Sequence, residues 1–118
     1  MSTNCEIFLI IGCDVDNYIT EKYEEWRWSE EGERYTEYQT EEEMQFIEDG
    51  MCGMYNYFGY IISNIEDFYG ECTKELSNDV FNKRDDIIAE LKKLVDIGVL
   101  KEDVLNKELK LILFNHCT

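Results

Sequence analysis

Residues 5–12 read CEIFLIIG, and this stretch restricts the fold more than any other. Five consecutive apolar side chains, Ile7 to Ile11, fall far short of the roughly 20 residues that span a bilayer. A short β-branched and aliphatic run closed by Gly12 suits a buried strand instead. A buried strand needs hydrogen-bonded neighbours and covering layers, so the rest of the chain must supply a sheet and the elements that pack on it. The next residues, Asp14-Val15-Asp16-Asn17, carry turn chemistry.

Residues 18–38 support two readings. Trp26-Arg27-Trp28 and Arg34-Tyr35-Thr36-Glu37-Tyr38 alternate at period two around Ser29-Glu30-Glu31-Gly32, which predicts a hairpin from about Glu24 onward, with Gly32 at positive φ. Against this, Ile19, Tyr23 and Trp26 fall at i, i+4, i+7, a helical stripe; the hairpin is the expectation carried forward. Thr40-Glu41-Glu42-Glu43 has the form of a capping box before Met44, Phe46 and Ile47, predicting a short helix ending near Gly50. Tyr55, Phe58, Ile62, Ile65 and Tyr69 recur at three- or four-residue steps and predict a second helix stopped by Gly70. Asn78 can cap a third helix with a stripe of Phe81, Ile88, Leu91 and Val95, closed at Gly98. Residues 108–114 (ELKLILF) predict a last strand. No proline, repeat or Gly/Ser linker divides the 118 residues, so 1–118 reads as one domain. The fold class expected is α+β: a small antiparallel or mixed sheet of N-terminal strand, acidic hairpin and C-terminal strand, packed by about three helices.

The net charge of −16 is unevenly placed. Residues 1–72 hold 18 acids and 3 bases (−15), and residues 73–118 hold 9 acids and 8 bases (−1), which together make −16. Within residues 21–43 alone, ten carboxylates surround five aromatics: Tyr23, Trp26, Trp28, Tyr35 and Tyr38. A field of this sign repels nucleic acid and anionic membrane and attracts basic protein surfaces. Direct DNA or RNA binding, which relies on Lys and Arg against phosphate, is therefore not expected. At 44% hydrophobic and 14% aromatic, the composition opposes global disorder. The residues before Ile7 lack the Lys/Arg region of a secretory signal, so the expected compartment is the cytoplasm.

Candidate chemistry is sparse. The five cysteines form no CxxC pair and the single histidine is His116, so structural zinc is not expected and the thiols read as buried and reduced. Asp14 and Asp16 begin something like a calcium loop, but Ile19 stands where that loop needs glycine and Tyr18 where it needs an oxygen ligand. His116, near the C-terminus beside Cys117, reads as a frayed terminal residue outside any catalytic motif. No P-loop or dinucleotide fingerprint occurs. No cofactor is expected, and an enzyme is not the favoured reading.

The acid-and-aromatic stretch carries more. Rows of Asp and Glu on strands or helices can occupy the track of a phosphate backbone, and Trp, Tyr and Arg dominate binding hot spots. The bland alternative is a solvated acidic face whose tryptophans sit in the core. Small size, extreme acidity and low-proline α+β character resemble phage-encoded inhibitors of host defence, the anti-CRISPR and anti-restriction proteins. Many of those occupy the nucleic-acid channel of a nuclease. The likeness is one of composition across residues 1–72, so no family residues carry over. Separately, Gly12-Cys13-Asp14-Val15-Asp16-Asn17-Tyr18-Ile19 resembles the Gly-Cys-Asp-Ile-His opening of a phage and bacterial family of unknown function, whose Arg-Asn-Tyr-x-Leu-Phe segment is echoed by Tyr55-Asn56-Tyr57-Phe58-Gly59. Asp16 stands here where that family has its His. Both resemblances imply a mobile-element origin, and neither fixes an activity; with the acid-and-aromatic surface, the expectation is a phage-type inhibitor, in the host bacterial cytoplasm, competing without turnover for a basic nucleic-acid channel on a defence nuclease. Steering is expected from Glu21, Glu24, Glu25, Glu30, Glu31, Glu33, Glu37, Glu41, Glu42 and Glu43, with anchoring by exposed members of Tyr23, Trp26, Tyr35 and Tyr38. The alternative is a small-ligand or metal-dependent protein using Asp14, Asp16 and a pocket near Tyr55 and Phe58. A homodimer through the aromatic patch is a third possibility.

Overall fold

The computed structural model describes residues 5–36, 42–49, 53–66 and 78–117. Its centre is strand β1 (Cys5–Asp14), which holds the CEIFLIIG run. β1 pairs antiparallel with β3 (Asn56–Glu66) on one side and with β4 (Lys110–Cys117) on the other. β2 (Met44–Glu48) pairs antiparallel with the far side of β3, giving the order β2-β3-β1-β4. A central strand buries both faces, which is why its run is continuous rather than alternating. Phe8 and Ile10 enter one apolar cluster with Ile47 and Ile61, while Ile11 and Cys13 enter another with Phe46, Phe58 and Ile62. Gly12 and Gly59 face each other across the β1–β3 pair. A Cβ on Gly12 would lie 2.1 Å from the Phe58 carbonyl oxygen, so neither strand tolerates a side chain at that crossing.

Three helices pack over the second cluster: α1 (Lys22–Arg27), α2 (Glu30–Thr36) and α3 (Arg84–Asp96). α3 buries Ile87, Leu91 and Leu94, at i, i+4 and i+7. Each such side chain removed from water contributes roughly 1.5–3 kcal/mol. The expected stripe was one step out of phase. Leu91 is common to both, but Phe81 lies in a preceding 3-10 turn (Asn78–Lys83) and is 58% exposed. Gly98 closes the helix at φ +85°, as expected of a residue beyond a C-terminal cap. A 3-10 turn at Glu102–Asn106 buries Val104 and leads into β4, the predicted last strand.

The fold is therefore α+β, with an antiparallel sheet and three helices, but several segments exchange roles. The predicted hairpin is the helical pair α1–α2; the Ile19-Tyr23-Trp26 stripe marks the true period. Gly32 is not a hairpin residue at positive φ. It lies inside α2, where a Cβ would come within 1.9 Å of the Trp26 carbonyl oxygen, so its bareness lets the two helices meet. The predicted helices over 40–50 and 55–69 are, within the described residues, strands β2 and β3. Both strands send apolar residues to both faces, Phe46 and Phe58 to one cluster and Ile47 and Ile61 to the other, so strict alternation is lost and helical spacings arise by coincidence. Thr40, Glu41, Tyr69 and Gly70 lie outside the described residues. Among the described residues, no helix is long and apolar enough to cross a membrane.

Candidate functional site

Ser29 sets the geometry of the acidic stretch. Its amide donates to the Trp26 carbonyl (2.9 Å), and its Oγ accepts from the Gly32 amide (3.1 Å), closing α1 and capping α2 in one residue. Glu30, Glu31 and Glu33 then fall in the first turn of α2, where the helix dipole favours negative charge.

The two helices divide their residues sharply between core and solvent. Tyr23 is 2% exposed, with its ring 5.4 Å from Phe46 and its hydroxyl accepting from Asn56 Nδ2 at 3.3 Å. Burial raises its pKa. Trp26 stands 5.7 Å from both Tyr35 and Phe46, and Tyr35 lies 6.3 Å from Phe58. The Tyr35 hydroxyl donates to Glu90 Oε2 on α3 at 2.7 Å; burial, then that carboxylate, pushes its pKa up to about 12. These three predicted anchors are thus occupied in holding α1 and α2 to the sheet. The exposed aromatic is Trp28, at 70%. It falls two residues, about 200°, from Trp26 around the helix and so off the buried stripe, a signal the sequence carried. The Arg27 guanidinium lies 5.2 Å from the centre of the Trp28 ring and 2.6 Å from Glu48 on β2, steadying the tryptophan at its base.

The side chains of Glu21, Glu24, Glu25, Glu30, Glu31, Glu33, Glu42 and Glu43 are all exposed. Glu24 is 3.9 Å from Arg27, whereas Glu25, Glu30, Glu31, Glu33, Glu42 and Glu43 have no ion-pair partner among the described residues. Glu37, Tyr38 and Glu41 lie outside the described residues. Glu42 and Glu43 border a cleft of about 370 Å³, walled by Tyr35, Met44 and Tyr60, with Arg34, Lys83, Asp86 and Glu90 at its rim. From α2 only Arg34 and Tyr35 line this cleft, none of the predicted α1–α2 acids does, and α3, which the sequence did not implicate, contributes Asp86 and Glu90.

Two other places hold titratable groups. A cavity of about 330 Å³ is lined by Gly12, Cys13, Asp14, Tyr57, Lys107 and Lys110, among others. Asp14 serves the local backbone, its Oδ1 accepting from the Asp16 amide at 3.0 Å, and Asp16 is exposed outside this cavity. Burial pushes the Cys13 thiol up to about 11, so it is a poor nucleophile. Among the described residues, no three His, Cys, Asp or Glu side chains gather as a metal site. His116 is not frayed: it is 2% exposed on β4, with Nδ1 2.7 Å from the Tyr55 hydroxyl and Phe8 edge-on at 5.7 Å.

Compared with known proteins, the chain matches no family model, no curated sequence and no solved structure.

Proposed function

We propose that the α1–α2 face binds a basic, nucleic-acid-binding surface of a host-defence nuclease and blocks it by acidic mimicry, without turnover. The carrying observation is that two helices joined at the Ser29 cap, and held to the sheet by Tyr23, Trp26 and Tyr35, present outward carboxylates of which Glu25, Glu30, Glu31 and Glu33 have no ion-pair partner among the described residues. Glu21 and Glu24, like Glu30 and Glu33, are spaced i, i+3, with Cβ atoms about 5–6 Å apart. That spacing is comparable to the phosphate repeat along one nucleic-acid strand. A helical backbone ordered before docking loses little freedom on binding, and a field of one sign speeds encounter with a basic channel. Trp28 supplies the apolar contact that charge alone lacks. The cleft beside Glu42 and Glu43 carries both signs, and a cation of this chain already lies in it, Lys83 Nζ standing 5.2 Å from the centre of the Tyr60 ring.

Titration against a panel of CRISPR and restriction nucleases in DNA-cleavage assays tests this reading. Inhibition should be stoichiometric and reversed by excess substrate duplex. Inhibition that needs only catalytic amounts of the protein would replace mimicry with an enzymatic mechanism.

A second reading has the 330 Å³ cavity in its favour. Lys107 and Lys110 would hold a small anionic ligand beside Asp14 and Tyr57. A thermal-shift screen with nucleotides and inorganic phosphate, using Asp14→Asn and Lys110→Ala as controls, separates the two readings. A ligand-dependent shift lost in both variants supports the pocket.

A further inference from the structure

The two edges of the sheet are treated differently. β2 has five residues and is covered by α2, since the buried Gln45 side chain donates to the Arg34 carbonyl at 2.6 Å. β4 has eight residues, and among the described residues no strand pairs with its outer side. Leu111 and Leu113 stand opposite Ile11 and Leu9 of β1, so they point to the helix-bearing face. The helices do not reach them: Leu111 is 52% exposed and Leu113 70%. An edge strand with exposed apolar side chains, and with no strand paired to its outer side among the described residues, is a template for another strand.

We propose that β4 is a self-association edge through which two copies of this chain join their sheets, antiparallel and about a two-fold axis. Charge selects the occupant. The whole chain carries −16, yet residues 107–117 contain two lysines and one glutamate, so β4 is the strip along which two copies repel least. A basic partner has nothing to attract it here, and the acidic face lies on the β2 side, at the far edge of the sheet. An antiparallel strand edge is also self-complementary under two-fold symmetry. With the axis at Ile112, Leu111 of each copy falls opposite Leu113 of the other, and the two pairs cover one another on the exposed face. The joined sheet would have eight strands and would carry the two α1–α2 faces at its opposite ends. This inference does not depend on what those faces bind.

Sedimentation equilibrium from about 1 µM to about 1 mM tests it directly. The native chain should approach twice its 14.1 kDa mass, and Leu111→Lys/Leu113→Lys should remain at the single-chain mass with an unchanged circular dichroism spectrum. Glu30→Lys/Glu31→Lys/Glu33→Lys should still dimerise. Hydrogen exchange of the native protein provides a reading independent of any substitution: β4 amides should gain protection as concentration rises. A native mass of one chain throughout the range would overturn the proposal and leave the edge to some other strand. A dimer that survives both lysines, or that dissolves with the α2 charge swap, would overturn it equally.

Discussion

Burial favours the neutral form of His116, whose Nδ1 pairs with the Tyr55 hydroxyl. Desolvation lowers its pKa, and nearby Asp49 only partly opposes this. Tyr55, raised to about 12 by burial, stays protonated and can donate to Nδ1. Because the folded pKa lies below the unfolded value, the unfolded chain takes up the proton first as pH falls. The pair's contribution is therefore complete above the unfolded pKa, about 6.5, and is lost progressively below it. The urea midpoint of the native protein should fall between pH 7.5 and 5.5, and His116→Gln should flatten that slope. Parallel slopes for the two proteins would remove His116 as the cause. None of this was legible in the sequence, because the partner Tyr55 is 61 residues away and only the β1-centred sheet brings the two together. The turn at Asp14 was legible, because an Asp side chain bonding the amide two residues on is a local event.

At the scale of elements, α1 and α2 show how two periodicities compete in one stretch. Trp26-Arg27-Trp28 alternates like a strand, but Ile19, Tyr23 and Trp26 share the face that packs against the core. β2 and β3 show the converse, since a strand that sends apolar residues to both faces loses the alternation that would mark its period. The helix–helix contact depends on Gly32. Gly32→Ala should cost roughly 1–3 kcal/mol, the scale of forced overpacking, because the new methyl would meet backbone at Trp26 rather than a movable side chain. Chemical denaturation checks this, and an unchanged midpoint would mean that the helices part without cost. Trp28→Ala separates anchoring from folding. Stability should change by no more than about 1 kcal/mol, the worth of its contact with Arg27. Binding to an inhibited nuclease should weaken by about 30-fold or more, as for a hot-spot residue of about 2 kcal/mol. Tyr23→Ala should do the reverse, chiefly lowering stability, since its ring is buried against Phe46.

Across the whole molecule, charge and burial are arranged on one axis. The helical pair over β2 and β3 bears five carboxylates, Glu24, Glu25, Glu30, Glu31 and Glu33, while the region around β4 is close to neutral. This asymmetry was legible from sequence because counting charges needs no fold. The α+β class was legible as well, because CEIFLIIG demanded a sheet and the residues around Leu91 demanded a helix. The division of the aromatic residues was legible only at the helical period: the Ile19-Tyr23-Trp26 stripe serves the core together with Tyr35, and Trp28, off that stripe, alone of the four aromatics faces solvent. The central claim is that the outward carboxylates compete with nucleic acid. It is tested most directly by measuring displacement of a labelled duplex from a CRISPR or restriction nuclease across a range of salt concentrations, with the native protein and with Glu30→Lys/Glu31→Lys/Glu33→Lys. The native protein should displace the duplex and lose affinity steeply as salt rises. The variant should bind roughly 10- to 100-fold more weakly, about 1–3 kcal/mol for three exposed charges, with a shallower salt dependence. Equal displacement by the two proteins, at equal salt dependence, would contradict the account.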